Sequence, residues 1–137
     1  DRLESAVAHA IFADGAGAVA LAADGDGPSI VEHRTRFRSE HLPAMGFEYP
    51  AGRPRVILSK DVRRIGAAMM KEMADCLMTA QGLKRTDVSH FVLHSAGRRV
   101  IEQARQLMDL GESDVAPSRR VLREFGNMSS ATVFFVT

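Results

Sequence analysis

Apolar residues recur at helical spacing near the start of the chain, and this pattern predicts a first helix that Asp14-Gly15 ends. The helix would present one apolar face, made of Leu3, Val7, Ala10 and Ile11. The small residues 16–23 then indicate a strand, and a hairpin that turns at Asp14-Gly15 is the alternative. The glycines and aspartates of residues 24–28 predict a loop.

The pattern is least regular between residues 30 and 55. Residues 31–37 alternate between apolar and polar, which is typical of an exposed strand. Turn-forming residues then interrupt the chain as far as Arg55; these are Pro43, Gly46, Pro50, Gly52 and Pro54. We therefore predict a linker or insertion here, followed by a short buried strand at Val56-Ile57-Leu58.

A long helix is predicted after this strand, capped by Asp61 and closed by Gly82. Its apolar stripe consists of Ile65, Met69, Met73, Cys76, Leu77 and Ala80. A turn at Thr86-Asp87 leads to a predicted strand at residues 90–93. A second helix should begin at Ser95 or Gly97, and its apolar face comprises Val100, Ile101, Ala104, Leu107 and Met108.

The last part of the chain leaves one choice open. Ser118 is predicted to cap a third, short helix that ends at Gly126. Residues 132–137 have strand propensity, whereas the small residues 129–131 would allow a tightly packed helix. The order helix–strand–helix–strand–helix indicates an α/β layered domain.

Composition narrows the function classes. A chain of 137 residues with a net charge of +1 suits one globular domain and favours neither nucleic acid nor a membrane surface as a partner. A single cysteine excludes an internal disulfide and a cysteine-based metal cluster.

No run of apolar residues is long enough to span a bilayer, and the charged start is unlike a signal peptide, so the expected location is cytoplasmic. The abundant arginines suit phosphates, but a solvated surface is the simpler expectation. The apolar run at 133–136 suggests a piece of a longer protein.

Two polar residues stand where chemistry is expected. His94 follows the apolar pair Val92-Leu93, and in open α/β sheets ligands lie at the carboxyl ends of strands. A core histidine is the alternative, and the pattern leaves both open. Asn127 follows Gly126 and would suit a helix cap or, if His94 faces it, a site that holds one negative oxygen. This second arrangement points to carbonyl chemistry.

Two other motifs are interpreted as structural. Cys76 lies in the middle of an apolar helix stripe and away from any helix N-terminus that could activate its thiol, so we expect a buried inert residue. The sequence Asp14-Gly15-Ala16-Gly17 lacks the further glycine and the lysine of phosphate-binding loops. Close packing explains its small residues better.

Four segments in order resemble one known family. Residues 10–19 resemble the LFGDGAGAV stretch of ketoacyl synthases, and residues 58–62 resemble LLKDV. His94 with Ser95-Ala96-Gly97 resembles the HPGG motif of type III polyketide synthases, and residues 126–131 are identical to their GNMSSA motif. The chain is therefore identified as similar to chalcone synthase-like enzymes of the thiolase superfamily.

The resemblance implies a layered αβαβα fold, a homodimer and a Cys-His-Asn triad. His94 and Asn127 match the second and third members, whereas the cysteine belongs to an amino-terminal half that this chain does not match. Ser129 matches a pocket-lining serine, Val56 the place of a gatekeeper phenylalanine, and Arg99 a position near coenzyme A. The implied substrates are malonyl-CoA and acyl-CoA thioesters, with no separate cofactor and no metal.

The resemblance also implies a division of the chain. Residues 1–29 would hold the last strand region of the amino-terminal half, 30–55 a linker or insertion, and 56–137 the carboxy-terminal half, truncated in its last helix. Residues 128–137 should then be a buried helix. The family's closing glycine-rich strands have no match. Ser-Ala-Gly in place of Pro-Gly-Gly favours a bacterial branch, such as enzymes that make 3,5-dihydroxyphenylacetyl-CoA, over plant chalcone synthases.

Two alternatives come from different classes. A carrier-protein-dependent ketoacyl synthase would usually have Gln-Ala-Asn after the histidine and threonine after the asparagine, which this chain lacks. A non-catalytic domain that binds acyl-CoA would account for the absent nucleophile.

Overall fold

The computed structural model describes residues 2–137, and it describes side chains from residue 6 onward. Five helices and two strands follow in the order α1 (Arg2–Ile11), β1 (Met45–Glu48), β2 (Arg55–Leu58), α2 (Val62–Ala80), α3 (Arg98–Leu107), α4 (Glu112–Phe125) and α5 (Val133–Val136). Short 3-10 turns lie at Ser39–Ala44, Pro50–Gly52, Arg85–Asp87 and Ser129–Thr132. None of the described helices combines the length and apolarity that crossing a bilayer requires.

The first helix is confirmed, but its predicted apolar face is wrong. Ala8 is buried, while Val7 and Ala10 are exposed, and the side chain of Leu3 lies outside the described ones. The helix packs against β2. Of the predicted face, Ile11 is half-buried.

The strand predicted at residues 16–23 is wrong, and so is the alternative hairpin. Residues 13–38, including the predicted strand at 31–37, form neither helix nor strand. A strand requires a neighbour that completes its hydrogen bonds, and within residues 2–137 no strand pairs with this segment. The expectation of close packing is confirmed, because a Cβ atom on Gly15 would overlap Met128 and one on Gly17 would overlap Phe134.

A hairpin begins inside the predicted linker and ends in the predicted strand that follows it. β1 pairs antiparallel with β2, with Met45 opposite Leu58 and Glu48 opposite Arg55. The Arg55 guanidinium contacts the Glu48 carboxylate at 2.7 Å at the end of the hairpin next to the connecting loop. The strand predicted at 56–58 is confirmed, although it is half-buried and not fully buried. The irregular prediction for residues 45–48 is corrected, while the division of the chain into parts stays a prediction.

The main core lies between α2, α3 and α4. Its buried residues are Ala67, Leu93, Ile101, Ala104, Met108, Leu110 and Val115. The α3 face is confirmed except at Leu107, which is exposed. On α2, however, Ala67, Met70 and Ala74 face the core, and the predicted stripe is half-buried or, at Ala80, exposed. Both sides of α2 carry apolar residues, so contact with α3 decides which side is buried.

The helix starts were only partly predicted. Asp61 precedes α2, but its carboxylate does not cap the helix, and its N–H instead donates to Ser59 Oγ at 3.1 Å. α4 begins at Glu112, where the Gly111 N–H donates to the Asp114 carboxylate at 2.9 Å. Ser118, predicted as the cap, lies in the middle of α4 and is fully buried.

The carboxy-terminal segment is helical despite its strand propensity. Residues 129–136 form a 3-10 turn that continues into α5, which confirms the helix expected from the resemblance. Thr132 and Val136 are buried, whereas Ser129, Ser130 and Phe134 are exposed. The expected burial is therefore only partial.

The described arginines lie mainly on the surface, and most of them form ion pairs with acidic residues. The Arg38 guanidinium contacts the Glu72 carboxylate at 2.7 Å, which ties the irregular segment to α2. Glu102 on α3 accepts hydrogen bonds from Arg105 and, across to α4, from Arg119. The bond from Arg105 is the main reason that the pKa of Glu102 falls to about 2. Such exposed pairs stabilise weakly.

We predict that Gly126→Ala destabilises the fold by about 2–4 kcal/mol, because alanine strains this backbone and overfills the site. Gly126 has a φ of 77°, and a Cβ atom there would lie 2.9 Å from the Ile11 carbonyl oxygen. Urea denaturation measures the change. Gly27→Ala is the matched control, because a Cβ atom at Gly27 meets nothing within 4 Å. Equal midpoints for the two variants would contradict the prediction.

Candidate active site

His94 lies in a segment that is neither helix nor strand and that leads into α3. The strand predicted at residues 90–93 is wrong, because no described strand pairs with it. Leu93 and Ser95 are buried on either side of the half-buried His94. The Ala96 N–H donates to the His94 carbonyl at 2.9 Å, and this confirms the tight turn expected after the histidine.

A pair of buried hydroxyl groups joins this segment to α4. Ser95 Oγ donates to the Ser118 carbonyl at 2.8 Å, and Ser118 Oγ donates to the Leu93 carbonyl at 2.9 Å. Both serines are fully buried. The sequence analysis missed them, although Ser118 falls on the same helical face as Val115 and Val121, which signals an inward position.

The backbone of Asn127 is held by the first part of the chain. The Asn127 N–H donates to the Ile11 carbonyl at 2.8 Å, and the Ala13 N–H donates to the Asn127 carbonyl at 3.0 Å. These bonds form an isolated parallel bridge between Phe12 and Asn127. Asn127 is only 4% exposed, so its carboxamide is fixed in a buried place just beyond α4.

The carboxamide of Asn127 points its amino group toward the histidine segment. Its Oδ1 accepts the Ser129 N–H at 2.9 Å, and its Nδ2 lies 3.5 Å from the Ala96 carbonyl. The structure thus brings Asn127 to the turn that carries His94. Because an amide nitrogen has two hydrogens, one remains for another acceptor.

Partial burial changes the titration of His94. Loss of solvation disfavours the charged imidazolium and lowers the pKa of His94 below its ordinary value of 6.5. A neutral imidazole donates one hydrogen bond, and it avoids the cost of a buried charge. Beside a carboxamide N–H, it can contribute to binding an oxygen on which negative charge develops.

Of the three other predicted site residues, only Ser129 is joined to Asn127 by a described hydrogen bond. Ser129 is joined to Asn127 through its backbone N–H, and its own side chain is exposed. Val56 is half-buried on β2 opposite Phe47, and Arg99 is exposed in the first turn of α3. The described hydrogen bonds and ion pairs do not connect Val56 or Arg99 to Asn127.

Cys76 and metal-ligating groups do not add to the site. Cys76 is half-buried in the interior of α2, and its predicted full burial is corrected. Among residues 2–137, no three or more histidine, cysteine, aspartate or glutamate side chains cluster in a way that would hold a metal ion.

A cleft of about 380 Å³ includes Phe91 and Met108 in its lining. Its charged groups are largely occupied: Lys71 contacts Asp75, and the Arg85 guanidinium lies 6.0 Å from the Phe91 ring centre. It contains none of the predicted site residues. The turn at His94 and Asn127 is therefore the stronger candidate.

Comparison with known proteins places these features in one family. Residues 54–137 match the model of the chalcone and stilbene synthase C-terminal domain. The chain is 30% identical over 138 residues to a 3,5-dihydroxyphenylacetyl-CoA synthase of Amycolatopsis balhimycina, covering 97% of this chain and 37% of the relative. A Streptomyces toyocaensis protein of the same name is 30% identical over 143 residues, with the same shares covered.

The solved structures agree with these relatives. The crystal structure of PKS-I from the brown alga Ectocarpus siliculosus superimposes with a TM-score of 0.65 and 32% identity, covering 72% of this chain and 26% of that one. A fungal type III polyketide synthase has the same TM-score at 23% identity, with 74% of this chain and 28% of that chain covered. That likeness shows the fold alone.

Proposed function

Because the chain belongs to the chalcone and stilbene synthase family of type III polyketide synthases, we propose that it forms the carboxy-terminal part of an acyltransferase that makes polyketides from malonyl-CoA. Its fold is a partial, carboxy-terminal portion of the thiolase-like fold of these enzymes. The chain spans 37% of the length of the relatives it matches. The proposal therefore includes an amino-terminal half in the same polypeptide.

One observation carries the proposal: the Asn127 amino group is directed to the turn that holds His94. The Ser129 N–H occupies Asn127 Oδ1, so the donor side of the amide faces the Ala96 carbonyl at 3.5 Å. The bond from the Ser129 N–H to Oδ1 is one that a helix cap would also make, but a cap alone does not account for an amino group directed to a second segment. Two donors near one point suit an oxyanion.

The proposed chemistry begins with decarboxylation of a malonyl thioester. The bond to the carboxylate carbon breaks, carbon dioxide leaves, and the electron pair moves into an enolate. The N–H of neutral His94 and the free N–H of Asn127 would donate to the enolate oxygen. Losing one such donor in other enzymes costs about 3–4 kcal/mol of transition-state stabilisation.

Condensation follows when the enolate carbon attacks an acyl thioester and displaces the thiolate. The thiol must come from outside this chain, since Cys76 lies inside α2. We place the nucleophilic cysteine in the amino-terminal half and expect the 137-residue chain alone to be inactive. A homodimer is proposed by analogy with the family. Coenzyme A thioesters are the proposed substrates, and no separate cofactor is required.

Three further residues are proposed to contact substrate. Ser129 follows Asn127 closely and would line the acyl pocket, and Val56 would leave more room than an aromatic gatekeeper. Arg99 is exposed at the start of α3, where its guanidinium would meet a phosphate of coenzyme A.

The decisive experiment offers the full-length protein malonyl-CoA and, separately, malonyl-carrier protein. We expect carbon dioxide release and a condensed product from the coenzyme A thioester, and none from the 137-residue chain. Activity with the carrier protein alone would indicate a ketoacyl synthase instead. Binding of acyl-CoA without any turnover would indicate a non-catalytic domain, and either result would overturn the proposal.

A further inference from the structure

We propose that Ser118, in the middle of α4, is a positioning residue. It would hold His94 in the position that catalysis requires, through hydrogen bonds to the two residues on either side of the histidine. The proposal deepens the proposed function and rests on it. Ser118 itself is fully buried and has no route to substrate. Its effect would pass through the backbone that carries the imidazole.

The geometry clamps the histidine segment on both sides. Ser118 Oγ donates to the carbonyl of Leu93 at 2.9 Å, and the Ser118 carbonyl accepts from Ser95 Oγ at 2.8 Å. Leu93 directly precedes His94 and Ser95 directly follows it. A single residue of α4 therefore fixes the position of the segment immediately before and after the imidazole.

These bonds satisfy polar groups of a segment that is neither helix nor strand. No described strand pairs with the residues before His94, so among the described residues their buried backbone groups need other partners. Leu93 is 8% exposed, and the Ser118 hydroxyl satisfies its carbonyl. Alanine at this position would leave that carbonyl unpaired, and the segment would gain freedom to move toward water.

The same helix sets the position of the second donor. α4 ends at Phe125, and Asn127 follows after Gly126. Ser118 thus fixes the His94 segment to the helix that carries Asn127 at its end. The residues of α4 between Ser118 and Asn127 therefore link the histidine segment to the amide, and Asn127 Nδ2 lies 3.5 Å from the Ala96 carbonyl in that segment.

The test compares Ser118→Ala and Ser118→Thr in the full-length enzyme with malonyl-CoA. Small misplacements of a catalytic group cost up to about 100-fold in rate. We expect Ser118→Ala to lower kcat for decarboxylation by about 10–100-fold with KM within about twofold of wild type. Ser118→Thr, which keeps the hydroxyl, should recover most of the rate.

A double variant separates positioning from general weakening of the fold. In a His94→Ala background, Ser118→Ala should cause no further loss of residual activity, because residues that act as a unit are not additive. Independent, additive losses would overturn the proposal. If Ser118→Ala does not fold, Ser95→Ala takes its place, because it removes one of the two bonds. It is then compared in the same way, alone and combined with His94→Ala.

A spectroscopic readout keeps the test independent of turnover. In the full-length protein with labelled histidine, the ring resonances of His94, assigned with His94→Gln, should titrate below pH 6.5. Ser118→Ala should move this titration toward 6.5, because the released ring regains water. Thr132→Val deletes a buried hydroxyl that makes no hydrogen bond among the described residues, and it should change neither the titration nor kcat.

The outcomes distinguish the two proposals. An inactive wild-type enzyme whose His94 titration still moves on Ser118→Ala would refute the proposed function and retain the positioning role. An active wild-type enzyme with unchanged kcat and unchanged titration in Ser118→Ala would refute the positioning role alone. An unmoved titration in an inactive enzyme would refute both.

Discussion

Replacing Asn127 with alanine in the full-length enzyme is expected to lower the rate of malonyl-CoA decarboxylation by about 10²–10³-fold, the usual cost of losing one oxyanion donor. Asn127 is 4% exposed and its carboxamide is held by the Ser129 N–H, so it needs little reorganisation when charge develops on the enolate. The Asn127 amide is expected to stabilise the transition state more than the bound substrate. Carbon dioxide release should therefore show a fall in kcat with little change in KM.

Two variants test whether the donor itself matters. Asn127→Asp keeps an oxygen that can accept the Ser129 N–H but replaces the donor with a negative charge, so we expect at least the loss seen with alanine. Ser130→Ala changes an exposed neighbour and should leave the rate at the wild-type level. Retention of the wild-type rate by Asn127→Ala would remove Asn127 from the mechanism.

His94→Ala is expected to cause a loss of similar size, about 10²–10³-fold in the decarboxylation rate. In the proposed mechanism the imidazole would supply the second donor to the enolate oxygen, so its removal should cost about as much as the removal of the amide donor. Decarboxylation should be measured apart from condensation, because the cysteine proposed for the amino-terminal half would act in acyl transfer. An undiminished decarboxylation rate in His94→Ala would exclude the proposed role.

The pH dependence gives His94 a separate signature. Burial lowers its pKa, so the neutral form should persist below pH 6.5, and activity should fall only as the pH drops through this lowered value. The unfolded chain takes up the proton first, near 6.5, so stability also decreases as the pH falls below that point. His94→Gln keeps a donor that does not titrate and should lose this acid limb. An acid limb centred above 6.5 would contradict the assignment.

Short motifs were sufficient to find the candidate site. A histidine after an apolar run and an asparagine after a glycine were singled out from residue types alone, and the structure brings the Asn127 amide to the turn after His94. Whether a side chain can donate a hydrogen bond depends on its residue type, so such a residue can be identified before the fold is known. The residue types suggested a joint oxyanion site only on the condition that His94 and Asn127 face each other. The position of Asn127 could not be predicted from them, because backbone bonds to Ile11 and Ala13 at the other end of the sequence fix it.

Errors in the fold prediction arose where a structure depends on a distant partner. Residues 16–23 and 90–93 have strand composition, but within the described chain no neighbour completes their hydrogen bonds. Residues 132–137 have strand propensity too, yet they are helical. Packing outweighs weak local preferences, so propensity alone could not choose in these segments.

Ser118 shows most clearly where prediction from the sequence ends and the tertiary structure decides. Its residue type favours a helix cap, and the sequence led to that prediction. Its true place follows from Leu93 and Ser95, whose polar groups need partners in a buried setting. Periodicity established that helices lie near 62–80 and 98–107, because helix hydrogen bonds are made within the segment. Which faces are buried, and what holds the two donors together, depended on contacts between segments far apart in the chain, which a one-dimensional pattern does not contain.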